Sequence, residues 1–163
     1  MRPVRADEWR RLREVRLRAL ASDPHAFSTT HDHAAKLTDE EWQLRASASA
    51  DDGQSCYFVA VVDPGHWVGI AFVIGFDDSD NAGLFSMWVA PAVRRAGVAR
   101  ALCDACAAWA IGREYAGLIL GVMADNGGAQ AAYRSMGFTE YDRTTEAIGA
   151  DRRELVMMHR PLG

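Results

Sequence analysis

The spacing of apolar and polar positions changes several times along the chain, and each change marks an element. From Asp7 to Leu20, Trp9, Leu12, Val15, Leu17, Ala19 and Leu20 fill a broad arc at about 100° per residue. Arg10, Arg11, Glu14 and Arg18 fall opposite, which predicts an amphipathic helix with Asp7 at its N-cap. Arg13 and Arg16 lie inside the apolar arc. Met1 to Val4 leave room only for a very short strand before it. A second helix is predicted from Thr38, where Thr38 and Glu41 form a capping box and Leu37 with Trp42 a hydrophobic staple. It runs to about Ala50, broken by Asp51, Asp52 and Gly53. The segment Ser22 to Lys36, with Pro24, His25, His31 and His33, reads as irregular connection.

The pattern then turns to strands. Cys56 to Val62 and Trp67 to Phe76 are rich in β-branched and aromatic residues, with a turn at Asp63-Pro64-Gly65-His66 between them. A polar turn at Asp77 to Asn81 leads to a third strand, Leu84 to Val89, ended by Pro91. These three predict an antiparallel meander. Val98, Leu102, Ala105 and Trp109 share one helix face, so Gly97 to about Gly112 is amphipathic helix. Leu118 to Met123 is a strand and Gly127 to Met136 a short helix. Phe138 to Asp142 and Leu155 to His159 close the chain as two strands around a polar loop. A strand, helix and strand in succession implies one parallel, right-handed crossover in an otherwise antiparallel sheet flanked by helices. The expected fold class is therefore mixed α/β, in one domain over residues 1–163.

Composition narrows the function classes. The chain has 163 residues and is 49% hydrophobic and 25% charged, ordinary values for a globular domain with a core of its own. Its net charge of −4 argues against binding a phosphate backbone. Three cysteines make no disulfide framework, there is no signal peptide and no apolar run of membrane length, so a cytoplasmic protein without membrane or nucleic-acid partner is expected.

Candidate chemistry concentrates in two stretches. In the first, Met87-Trp88-Val89-Ala90-Pro91-Ala92-Val93-Arg94-Arg95-Ala96-Gly97-Val98-Ala99-Arg100, a strand runs through paired arginines into a helix opened by small residues. Unpartnered N–H groups and the positive end of the helix dipole make such a start an anion site. A plain helix start with two solvated arginines has the same appearance. Neither a P-loop nor the G-x-G-x-x-G fingerprint is present. In the second stretch, Asn126 caps a helix directly after a strand, Tyr133 follows two turns later on the same face, and Gly137 ends it.

Together, Arg94-x-x-Gly97-x-Ala99 and Asn126-x-x-Ala129-x-x-x-Tyr133-x-x-x-Gly137-Phe138 resemble the two signatures of the GNAT superfamily of N-acetyltransferases, in the right order and across nearly the whole chain. The resemblance implies acetyl-CoA as co-substrate, no metal, and transfer of its acetyl group to a small-molecule or peptide amine by direct attack in a ternary complex. The strands Leu84–Val89 and Leu118–Met123 would splay to admit the pantetheine arm near Trp88 and Val89, and an N–H near Val89 would polarise the thioester carbonyl. The pyrophosphate would sit on the N–H groups of Arg95, Gly97, Val98, Ala99 and Arg100, with Arg94 and Arg95 supplying charge. Tyr133 would be the general acid for the departing thiolate, and Asn126 would bond to the cofactor arm or order the turn. A homodimer is the family's commoner habit.

One departure concerns the base. Many relatives carry a glutamate on the strand before the pyrophosphate turn, whereas Gly83 to Val89 contains no ionisable residue. Asp77, Asp78 and Asp80 either serve as base, attract a cationic acceptor, or form a solvated turn. With the acidic net charge they tilt the acceptor toward a small cationic amine. Arg13 and Arg16 either meet an acceptor carboxylate or run their stems along the core edge with their heads in water. Two other functional classes compete: a non-catalytic acyl-CoA sensor, and a nucleic-acid binder using the arginine-rich first helix. Cys103-x-x-Cys106 has metal or redox spacing but lies within the helix, with Cys106 at the stripe edge, and only Cys56 elsewhere. His25, His31 and His33 read as solvated, and Trp42, Trp67, Trp88 and Trp109 as core.

Overall fold

Alternation within the first long apolar strand decides how the layers stack. In the computed structural model, which describes residues 1–49, 53–63, 65–148 and 150–163, Cys56, Phe58 and Ala60 enter one core, and Tyr57 and Val59 the other. A strand buried on both faces has no polar side, which is why it reads as a continuous apolar run. Strands β1 (Arg2–Pro3), β2 (Ser55–Asp63), β3 (His66–Ile74) and β4 (Asn81–Val89) pair antiparallel in sequence order. Helix α4 (Val98–Ile111) then carries the chain across to β5 (Gly117–Met123), which runs parallel to β4. After α5 (Gly127–Ser135), β6 (Thr139–Ile148) and β7 (Asp151–Pro161) complete a seven-stranded sheet of order β1-β2-β3-β4-β5-β7-β6. Helices α1 (Trp9–Ser22), α2 (His31–Ala35) and α3 (Asp39–Ser47) cover one face, while α4 and α5 cover the other. Among the described residues no helix is long and apolar enough to cross a membrane.

The meander, the crossover and the Thr38–Glu41 capping box stand as read from the sequence. Five details differ. Asp7 is not a cap: a 3₁₀ turn over Ala6–Glu8 precedes α1, and the Glu8 carboxylate, not Asp7, accepts the Arg5 N–H at 3.0 Å. The connection after α1 holds a 3₁₀ turn at Pro24–Ala26 and the five-residue α2, which is capped by Thr30 and too short for an amphipathic signal. Helix α3 ends at Ser47, while the breakers read at Asp51 and Asp52, like Pro64 of the next turn, lie outside the described residues. Cys103, Cys106 and Ala110 are fully buried at the centre of the α4 face, so Cys106 is not at its edge; Val98, Ala105 and Trp109 form the rim. The closing strands reach to Ile148 and back to Asp151 through what reads as a polar loop. β6 is an edge strand with almost every side chain exposed, so it needs backbone pairing but no apolar alternation.

Candidate active site

Strands β4 and β5 part company soon after they meet. Their pairing covers Asn81–Gly117, Ala82–Leu118 and Gly83–Ile119, although β4 continues to Val89 and β5 to Met123. β5 stays paired with β7 along its whole length, so the opening lies on its β4 side. A bulge turns β4 away: between Ile70–Trp88 and Phe72–Phe85 it carries one more residue than β3, and Ser86 sits at φ 55°, a left-handed value that side chains rarely adopt. Beyond the bulge the ladder alternates. Ala90 N–H donates to the Val68 carbonyl at 2.8 Å, which places Trp88 among the groups bonded to β3 and turns the Val89 N–H and C=O toward the opening.

The chain then rounds a 3₁₀ turn at Pro91–Val93 and enters α4 with no side-chain cap. Arg95 at φ 62° and Gly97 at φ 80° are both left-handed. At Gly97 a Cβ would meet no atom within 4 Å, so the missing side chain leaves the backbone open to close approach. The N–H groups of Val98, Ala99 and Arg100 are the first of the helix and have no intrahelical partners. Arg94 lines the opening and is held by two neighbours. Its Nε donates to the Val89 carbonyl at 2.9 Å and its Nη2 to Asp23 at 2.7 Å. Asp23 also accepts from the Trp88 indole at 2.9 Å and from Ser22 at 2.7 Å. Burial pushes the Asp23 carboxyl up, but the bonds from Ser22, Arg94 and Trp88 outweigh it and hold its pKa below the ordinary value. Arg100 donates to the Ser135 carbonyl at 2.6 Å, tying α4 to the end of α5.

Across the opening, Asn126 Oδ1 accepts from the Ala129 N–H at 3.1 Å and so caps α5, while the buried Gln130 holds the preceding turn through the Met123 and Ala124 carbonyls. Tyr133 is half-buried, with its ring edge-on to Phe138 at 5.6 Å between centroids. Its hydroxyl makes no hydrogen bond to the described residues. Burial near Cys103 and Cys106 raises its pKa above the ordinary phenol range, so it stays protonated.

Val89, Arg94, Arg95, Gly97, Val98, Ala99, Arg100, Asn126, Tyr133 and Trp88 all line one cavity of about 990 Å³. It extends past the sheet to a wall from the α1–α3 side that includes Arg16, Phe27, Trp42 and Arg45, with Phe72 and Phe85 contributed by the strands. The two arginines of the apolar arc separate here: Arg13 forms a surface ion pair with Asp39 at 3.2 Å, whereas Arg16 is buried at the cavity wall. Asp77, Asp78 and Asp80 are exposed and do not line the cavity, and Asp77 is bonded to Gln54. His33 lines the cavity, while His25 is held by Arg153. All three cysteines are buried with raised pKa values, which leaves them unreactive thiols. Asp23, Phe27, Arg45 and Ser86 escaped the sequence reading because neither spacing nor capping marks them. The one available signal was Arg16, a charge in an apolar arc.

The family model described as acetyltransferase (GNAT) family matches residues 10–138. Comparison with curated protein sequences returns no match. Among solved structures, a GNAT acetyltransferase from Streptococcus pneumoniae superimposes with a TM-score of 0.83 at 19% identity, over 99% of this chain and 98% of that one. A GCN5-related N-acetyltransferase from Kribbella flavida is 28% identical with a TM-score of 0.74, over 99% and 96% of the two chains. A phosphinothricin acetyltransferase from Sinorhizobium meliloti, solved with acetyl-CoA, gives 0.76 at 20% identity over 99% and 87%.

Proposed function

The chain belongs to the GNAT family of acetyltransferases, and on that premise we propose that it moves the acetyl group of acetyl-CoA to a primary amine by direct attack in a ternary complex. When bound, acetyl-CoA supplies an activated acyl carbon and a thiolate leaving group. The Val89 N–H, facing the opening, hydrogen-bonds the acyl oxygen and stabilises the charge that builds there. The N–H groups from Arg95 to Arg100 hold the pyrophosphate, at a helix start where Gly97 permits close approach. Arg94 acts as a positioning residue: its bonds to Asp23 and the Val89 carbonyl fix the strand end that presents the Val89 N–H.

Tyr133 gives its proton to the departing sulfur and recovers one from water. The amine nitrogen forms the new C–N bond as the C–S bond breaks, and sheds its proton to water. No residue from Gly83 to Val89 can take that proton, so either the acceptor enters as the free amine or a group outside that strand removes the proton. The observation that carries the reading is the end of β4–β5 pairing at Gly83–Ile119, with the uncapped start of α4 beyond it. Thiol release from acetyl-CoA across a panel of primary amines tests it. Amine-dependent release supports the reading; binding without turnover on any amine replaces it with a domain that only senses acyl-CoA.

A further inference from the structure

Arg16 is handled unlike the arginines around it. Along α1, Arg10 lies over the Trp9 ring at 4.2 Å, Arg13 pairs with Asp39, and Arg18 donates to the Trp67 carbonyl at 2.6 Å. Arg16 falls on the face that buries Leu12, Val15, Ala19 and Leu20, and is itself only 8% exposed. Its guanidinium sits over the Phe27 ring at 4.6 Å. Among the described residues it makes no hydrogen bond or ion pair, and its Nη1 is fully buried without a partner. The Trp42 indole N–H, on a residue 1% exposed, also lacks an acceptor, and both residues line the cavity. Two buried donors without acceptors on one cavity wall call for a ligand that brings the acceptor atoms.

The surrounding charge gives that ligand its sign. Arg45 lies on the same wall, close enough for its charge to oppose that of Arg16. Among the described residues the cavity lining holds one carboxylate, Asp23, already bonded to Arg94, Ser22 and Trp88. A buried cation without a partner is costly, and a planar carboxylate matches a guanidinium in two parallel hydrogen bonds. Phe27 of this wall and Phe72 and Phe85 of the strands add apolar lining that suits an apolar body.

We propose that Arg16 is the specificity-determining residue for an acceptor that carries a carboxylate beside its amine: a small amino acid with an apolar side chain, not a polyamine. The inference rests on the acetyltransferase reading and reverses the tilt toward a cationic amine that net charge and the Asp77–Asp80 turn suggest.

The test measures kcat/KM for thiol release at saturating acetyl-CoA with the full chain. Acceptors are the L-amino acids, the amines left when their carboxylates are removed, and spermidine. The expected result is an amino acid preferred over its decarboxylated counterpart by about 100-fold or more. Arg16→Met should collapse that ratio and raise KM for the amino acid, Arg16→Lys should restore part of it, and acetyl-CoA affinity should match wild type in both. If a variant does not fold, the preference of the wild-type chain decides alone. A best acceptor without an acidic group, an unchanged ratio in Arg16→Met, or acetyl-CoA binding with no amino acid acetylated would each overturn the proposal. Absence of acetyl-CoA binding would instead remove the reading beneath it.

Discussion

Tyr133 lines the cavity from the second turn of α5 with a hydroxyl that bonds to no described residue, and it is the resemblance of the two motifs together that singles it out. Tyr133→Phe should lower kcat by roughly 10²–10⁴-fold and leave the acetyl-CoA Kd within about twofold; unchanged turnover would remove Tyr133 from the chemistry. Its pH behaviour follows from the raised pKa. A phenol raised above its ordinary value of 10.0 keeps its proton beyond that pH, so log kcat should stay flat from neutrality to about pH 10 on its account. A basic limb near pH 8 that Tyr133→Phe abolishes would contradict this. Arg13 and Arg16 show where residue-level reading stops. Both fall inside the same arc, and only packing against Asp39 or Phe27 separates a surface pair from a buried cation. Asp23 falls in the segment that reads as irregular connection; its bonds to Arg94 and Trp88 join positions far apart in sequence, which no local pattern records.

At the scale of elements, two backbone distortions build the site: the β4 bulge and the left-handed entry to α4. Gly97→Ala should cost about 1–2 kcal/mol for a side chain at φ 80° and keep measurable acetyl-CoA binding. Gly97→Glu should cost a similar amount in thermal unfolding yet abolish binding, because it puts bulk and negative charge at the proposed pyrophosphate site. Normal affinity in the glutamate variant would misplace the anion site. At Ser86, φ 55° is easier for glycine and harder for a β-branched residue. Ser86→Gly should therefore unfold no earlier than wild type, and Ser86→Val should lose about 1–2 kcal/mol, compared by denaturant midpoints. The helix start was legible because small residues follow a strand and a proline. The bulge was not, since Leu84 to Val89 reads as an unbroken strand and the left-handed turn falls on a serine. Helix α2 and the long β6–β7 arms were missed for a related reason: one is too short for periodicity and the other too exposed to need it.

For the whole molecule, one buried charge joins the first strand to the first helix. Glu8, its side chain 4% exposed, is gripped by Arg2 through two 2.7 Å bonds and by the Arg5 N–H, which ties β1 to α1. The hydrogen bonds from Arg2 come first in holding its pKa below the ordinary 4.5, against the push of burial. A lowered native pKa contributes stability that is complete above pH 4.5 and fades as pH falls through the native value. Glu8→Gln should thus cost roughly 2 kcal/mol at pH 7 and show a shallower loss of Tm between pH 5 and pH 3 than wild type; parallel acid profiles would sink this account. The order of elements, the crossover and the two motifs were all readable, because periodicity and capping are local. What the chain does with its seventeen arginines was not, because their partners are set by the tertiary fold. The central claim, that the opening between β4 and β5 and the start of α4 seat acetyl-CoA, is tested most directly by calorimetric titration of the purified chain with acetyl-CoA beside the Gly97→Glu variant. We predict binding at one site per chain with a Kd on the order of micromolar, and no heat of binding in the variant. Absence of binding to the wild-type chain, or equal binding to both, would contradict it.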